Sequence, residues 1–590
     1  MTKRSRHLDI ATRPRLRSLI LVVALAACRS EDTPHDADAS HDAGASNDAD
    51  GSTCKDPGAD DLTPRFAFSS DDRGAFPPRP VCIGPANDGG DGGGVADSPV
   101  ARPEVGPGGG GPAPGSSGGG PDDGDDAQPP DGGATTDAPA VVPPPALNPV
   151  ANEYGTNADV VLPDTTQSIL ADAFLVSLNT NARHCETCHG PDQSWSTTPA
   201  AFQGRFDQGL PHFSGRCDRY PTNDTATRND DLEPIFRKRD GSNSPLADLS
   251  TPEARRQAYS LLLGRAVIRI GLPVPSDADF ELVAVDDPYG FASAKELSLF
   301  RRSPPMANLR FSTTVMWDGR ENRPCETLTT SLTHQAEHAI TGHAEGTRPS
   351  QAILQEIVTA ELALYVAQLI HSRAGQLNDD GAHGGPYFLA QVPFYPDINA
   401  FDRRDPRGQS YSAQVFTLYP AWRALPADSE ANRARAQVAE GERLFNSRPF
   451  TISGASGFND QRGRGDITAT CGACHNTPNV GTNSEGRFID IGISDERNRA
   501  PELPLYTFRA GLTGEIRRSV DPGRALISGR WQDLNGFKVP SLRALAGRAP
   551  YFHDGSAPSL EAVIDYHDQR FAIHLTPDEK AALAMFLSAL

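Results

Sequence analysis

Two pentapeptides, Cys185-Glu186-Thr187-Cys188-His189 and Cys471-Gly472-Ala473-Cys474-His475, constrain this chain more than any other feature. C-x-x-C-H spacing presents two thiols to the two vinyl groups of a haem and sets the adjacent histidine under its iron. Cys185, Cys188, Cys471 and Cys474 are therefore expected to carry two covalent haem c groups, with His189 and His475 as proximal iron ligands. Zinc or thiol-redox chemistry fits less well. Neither site has a second C-x-x-C or a histidine pair nearby, and thioredoxin-like strand patterns are missing. A helical stretch precedes each motif, Thr166 to Leu178 and Ser429 to Phe445. The expected fold is mainly α, with two cytochrome c-like haem domains in tandem.

The chain has 590 residues, with boundaries suggested by charge. Residues 29–150 hold 22 acids against six bases, and Gly and Pro fill 42 of those 122 positions. Such a stretch buries too little apolar surface to offset its ordering entropy, so it reads as a disordered acidic tether. Residues 151–425 and 426–590 are the expected first and second haem domains. The acidic balance excludes nucleic acid as an expected partner.

Residues 1–28 read as an export signal. Lys3, Arg4, Arg6, Arg13, Arg15 and Arg17 precede an apolar run from Leu19 to Ala27 that is too short to span a bilayer. Leu25-Ala26-Ala27-Cys28 resembles a bacterial lipoprotein box. It implies a lipid on Cys28 and an exported body, periplasmic or at the cell surface, held to a bacterial membrane, the outer membrane first, by the anchor alone. Four cysteines remain, Cys54, Cys82, Cys217 and Cys325. Two disulfides, Cys54–Cys82 and Cys217–Cys325, are the expected pairing in an exported protein.

Local signals mark further elements. Ser250-Thr251-Pro252-Glu253 and Thr576-Pro577-Asp578-Glu579 look like helix starts with proline at the first position. Ile353, Leu354, Ile357, Val358 and Leu362 have helical spacing, which predicts a helix over residues 350–371. Residues 376–425, rich in Gly, Pro and Tyr, read as a linker or surface loop.

Longer motifs add a resemblance. Trp317-Asp318-Gly319-Arg320, Phe537-Lys538-Val539-Pro540-Ser541-Leu542-Arg543 and Pro550-Tyr551-Phe552-His553-Asp554-Gly555 resemble signatures of the bacterial di-haem cytochrome c peroxidases. With both haem motifs in order, the likeness covers most of residues 160–590. The methylamine dehydrogenase maturation enzyme and the rubber oxygenases share that superfamily. The resemblance implies an oxidoreductase that reduces hydrogen peroxide with electrons from a small cytochrome c or cupredoxin. A di-haem oxidase or oxygenase acting on an organic or protein substrate, or a non-catalytic electron-transfer lipoprotein, are the alternatives.

It also implies residue roles. Gln335 and Glu345 keep the family's ten-residue separation over the peroxide face of the first haem. Breaking HO–OH needs a group that takes a proton from one oxygen and returns it to the other, which suits Glu345, while Gln335 can orient peroxide. Trp317 is placed between the haems as an electron relay. Fourteen residues beyond His553, where the family usually has a methionine ligand, stands His567, the expected distal ligand of the second haem. Met585 is the weaker alternative. The first haem is expected to be five-coordinate or water-bound, with His212 and Met306 as minor candidates for a distal ligand. The family's calcium-binding asparagine corresponds to Arg302, which makes calcium doubtful.

Overall fold

The computed structural model describes residues 147–162, 183–208, 235–323, 326–401, 403–460, 463 and 465–590. The signal, Cys28, all four cysteines of the proposed disulfides, His212, most of the tether and the helix expected over 166–178 lie outside the described residues. No described helix is long and apolar enough to cross a membrane.

The architecture mixes helix and strand, correcting the mainly α expectation. One antiparallel sheet has the order β1-β2-β6-β7, from Asn148–Asn152 (β1), Gly155–Val161 (β2), Leu364–His371 (β6) and Gly375–Gln376 (β7). Val267–Leu272 (β3) pairs with Leu297–Arg302 (β5). Phe280–Asp286 (β4) pairs with Leu505–Ala510 (β11), which also pairs with Ile516–Ser519 (β12). That sheet therefore joins chain from both sides of residue 425. Phe450–Ile452 (β8) meets Ile467–Ala469 (β9), and Phe488–Ile489 (β10) meets Phe537–Lys538 (β13). Several of these strands are short, and β5 and β6 are buried on both faces, so they lack the alternation that reveals a strand in sequence.

β6 is the clearest case. The expected helix stops at Ala363, after starting from a Ser350 cap that accepts from the Ile353 amide. Leu364-Tyr365-Val366-Ala367 then runs extended and almost wholly buried. An apolar run of that kind serves a buried strand as well as a helix.

Helix starts followed local chemistry more closely. Thr576 and Glu579 form a reciprocal capping box for the helix Pro577–Ser588. Ser429 caps the helix Glu430–Ser447. Thr251 accepts from the Ala254 amide at 3.1 Å and starts Pro252–Ala258, with proline at the first helical position as expected. The 430–447 and 577–588 helices approach closely at Gly441. A Cβ there would lie 2.0 Å from the Ala582 carbonyl oxygen.

Residues 376–425 are no surface linker. Tyr419 and Trp422 are fully buried beside Phe416 and Phe586. Side chains of the 430–447 helix satisfy backbone groups in the buried part of this stretch, residues 416–419. Glu442 accepts from the Leu418 and Tyr419 amides, and Asn446 pairs with both polar groups of Phe416.

Candidate haem centres

Each C-x-x-C-H motif is a tight turn facing its own cavity. In the first, Cys185–Thr187 form a short 3-10 helix that swings Cys185, Cys188 and His189 onto the wall of a cavity of about 180 Å³. His189 Nδ1 lies 3.4 Å from the Trp195 carbonyl oxygen. A carbonyl only accepts, so Nδ1 carries the proton and Nε2 keeps its lone pair for a metal. Burial lowers the His189 pKa to about 4, against the pull of the Trp195 carbonyl, so the imidazole is neutral. Met306 lines this cavity, but its amide donates to the same Trp195 carbonyl, at 3.1 Å. Its backbone is thus tied beside the carbonyl that orients His189.

Another wall comes from the helix Leu328–His338 and the π-helical turn Ala339–His343. Gln335, Ala336, Ala339, Ile340 and His343 line the cavity along one face. His343 Nδ1 is 3.4 Å from Asp240 Oδ2. Arg183 grips Asp240 with two bonds of 2.6 and 2.8 Å and also donates to the His343 carbonyl at 2.8 Å. Burial opposes the Asp240 charge, but His343 and Arg183 outweigh it and hold this carboxyl well below the usual range. Glu345 follows two residues later in a left-handed conformation (φ 53°). Its side chain is 43% exposed, 3.9 Å from Arg239, and outside the cavity lining. The structure thus brings Gln335, His189 and both cysteines together and leaves Glu345 at the rim.

The second cavity, about 260 Å³, is lined by Cys471, Cys474, His475 and His567 among apolar side chains such as Phe445, Ile452, Ile491 and Leu560. His475 Nδ1 is 2.6 Å from the Gly481 carbonyl, and His567 Nδ1 is 2.8 Å from the Val563 carbonyl one helical turn back. Both rings therefore have Nε2 available. Burial lowers the His475 pKa to about 4 and that of His567 in the same direction. Met585 is absent from this lining; its sulfur accepts from Arg373 instead.

Trp317 and Lys538 line both cavities. The indole Nε1 donates to the Arg302 carbonyl at 2.8 Å, and the Trp317 carbonyl accepts from the Lys538 amide at 2.9 Å. Behind Trp317, Asp318 is fully buried and bound to Arg301 at 2.5 Å; Arg301 also binds Asp521. Gly319 has φ 69°, and a Cβ there would meet the Phe488 ring at 2.2 Å, so the third position of this motif requires glycine. His553 stacks on Phe537, 3.9 Å between centroids, and meets Trp317 edge-on. Arg302 donates to the carbonyls of Thr197 and Arg548. A guanidinium therefore occupies carbonyl oxygens at the place the resemblance would give to calcium.

Both sites fit a haem c. Each offers two half-buried thiols and a neutral imidazole with Nε2 available, at the wall of a cavity. The first also holds Glu361, 5% exposed, whose Oε2 has no hydrogen-bond partner among the described residues. Sequence reasoning missed Asp240, His343 and Glu361. His343 was findable, eight residues beyond Gln335 on one helical face. Asp240 was not, since its partners lie 57 and 103 positions away.

No family model matches the chain. It is similar to the cytochrome-c peroxidase IdrP2 of Denitromonas iodatirespirans, 26% identical over 328 residues, 52% of this chain and 74% of that protein. It is similar to the methylamine utilization protein MauG of Methylorubrum extorquens, 25% identical over 45% of this chain and 54% of that one. The cytochrome c551 peroxidase of Nitrosomonas europaea matches at 29% over 23% of this chain and 33% of its own length. The match thus spans about half of the MauG relative and a third of the c551 peroxidase. A solved MauG-like protein associated with microbial copper homeostasis superposes with a TM-score of 0.31 and 16% identity, over 78% of this chain and 95% of that one, too remotely to carry the fold. These relatives imply haem c as cofactor and haem oxidoreductase chemistry at family level. With two C-x-x-C-H cavities that Trp317 lines in common, they support the superfamily of di-haem cytochrome c peroxidases and MauG for this chain.

Proposed function

We propose that this chain binds two haem c groups and reduces hydrogen peroxide to water with electrons from a small cytochrome c or cupredoxin. The observation that carries this reading is the shared wall: Trp317 lines both cavities, between His189 and His475. Haem c supplies, when bound, a redox-active iron at each site. His475 and His567 both offer Nε2 to the second cavity, an arrangement suited to holding electrons without binding substrate. An imidazole in place of a thioether also lowers the potential there.

Gln335 can hold peroxide by hydrogen bonding in the first cavity. Glu345, at its rim, is our candidate for moving the proton between the two peroxide oxygens. Each HO–OH takes two electrons and two protons to give two waters. The test is stopped-flow mixing of the half-reduced protein with peroxide. Glu345→Gln should slow the reaction by about 10²–10⁴-fold. An unchanged rate removes Glu345 from the chemistry, and a wild-type protein inert to peroxide overturns the reading.

The MauG relative favours a second reading, oxidation of an organic or protein substrate. Under it, peroxide should leave the protein in an oxidised state that persists until such a substrate is added. We further propose that Cys28 carries a lipid that anchors an exported body. Cys28→Ala should then move the protein from the membrane fraction to the soluble fraction.

A further inference from the structure

The first cavity holds a carboxyl that neither haem attachment nor the peroxide reading uses. Glu361 lies on the helix Gln351–Ala363, which packs over Cys185. An ionised carboxylate buried there without a partner would be disfavoured by several kcal/mol. Burial alone raises the Glu361 pKa to about 8. Other charged and titratable groups line the same cavity, among them the His184 imidazole beside Cys185 and Arg301, which is held by Asp318 and Asp521. Arg183, Asp240 and His343 hold one another. Arg302 is on backbone carbonyls, Arg320 is 3.4 Å from Asp318, and the Lys538 amine is 3.4 Å from the Thr314 carbonyl. The Glu361 carboxyl lines the cavity, and its Oε2 has no hydrogen-bond partner among the described residues.

We propose that Glu361 is a proton site linked to the haem on Cys185, Cys188 and His189, taking up one proton when an electron arrives there and releasing it when the electron leaves. The balance is simple: iron(III) gains one electron, the carboxylate gains one solvent proton, and no other bond forms or breaks. The sign follows from Coulomb's law. Iron(III) adds positive charge beside the carboxyl and favours the carboxylate; iron(II) removes that charge and favours the acid. This inference depends on haem attachment at His189 and not on peroxide as oxidant.

The test is the reduction potential of each haem against pH in the holoprotein. The potential at the His189 site should fall as pH rises through the range around pH 8. One proton per electron is tenfold per pH unit, a slope approaching 59 mV. Glu361→Gln should flatten it, Glu361→Asp should keep a displaced slope, and the His475 site should not change. Redox-difference infrared spectra of the unaltered protein should show a carboxylic-acid carbonyl band that appears on reduction. That measurement decides the matter if Glu361→Gln fails to load haem. A flat wild-type profile, a slope that survives Glu361→Gln, or no carboxylic-acid band overturns the proposal. Loss of peroxide turnover alone would sink the peroxidase reading and leave this one standing.

Discussion

The two cavities carry the same attachment motif and share the wall at Trp317 and Lys538, but their remaining walls differ in character. The His475 cavity is walled by Phe, Ile and Leu side chains and faced by a second imidazole, His567. The His189 cavity is smaller and holds Gln335, His343, Asp240, Arg183 and Glu361. One C-x-x-C-H turn thus sits among mainly apolar side chains with a second imidazole, His567, on the cavity wall. The other sits among groups that donate, accept and move protons. The motif fixes where the cofactor is attached; the surrounding elements fix what it can do.

His567→Ala should break this contrast most severely. The second haem should lose nearly all of its low-spin ferric EPR signal and bind added imidazole, while the first haem is unchanged. Retention of the low-spin signal would remove His567 as a ligand. Gln335→Ala should slow peroxide binding about tenfold, as expected for one hydrogen bond worth about 1.4 kcal/mol. It should leave the second haem's spectrum intact, and a spectral change there would show that the cavities are not independent. Trp317→Phe keeps an aromatic ring but loses the bond to the Arg302 carbonyl. Electron transfer between the haems should slow severalfold in flash-reduction experiments, with both ferric spectra preserved.

A second pair of regions sharpens the comparison further, because both contain a buried glutamate. Glu442 accepts two backbone amides, whereas Glu361 accepts none that the structure shows. Burial nevertheless raises the Glu442 pKa to about 7, with those amides and Arg423 opposing. A carboxyl whose folded pKa is raised contributes stability that is full below its unfolded pKa, about 4.3, and is lost as pH rises through about 7. Glu442→Gln can still accept both amides and no longer titrates. Denaturant unfolding should therefore show the variant gaining on the wild type between pH 5 and pH 8. A constant difference would place the charge elsewhere. Gly441→Ala should cost at least about 1–3 kcal/mol from overpacking against the Ala582 backbone. It should appear as a lower midpoint with both haem spectra unaltered.

The haem-attachment motifs and the helix caps were legible in the sequence because both signals are local. C-x-x-C-H, Trp-Asp-Gly-Arg and Thr-Pro-Asp-Glu each declare themselves within a few residues. The second cavity was readable through His567 for the same reason. What could not be read depends on distant chain. β6 looks helical until β2 pairs with it, and residues 376–425 look like a linker until Glu442 and Asn446 hold their backbone. Gln335 and Glu345 keep their sequence spacing, yet the turn after His343 takes Glu345 to the rim. The Arg183–Asp240–His343 cluster joins three segments with no shared local signal.

Arg302 has a consequence of a different kind. Its guanidinium ties the Thr197 carbonyl, just beyond the first haem motif, to the Arg548 carbonyl in the second half. A joint of this sort carries its charge in the gene. This tie cannot be emptied by a chelator, refilled from the medium, or tuned by ion supply.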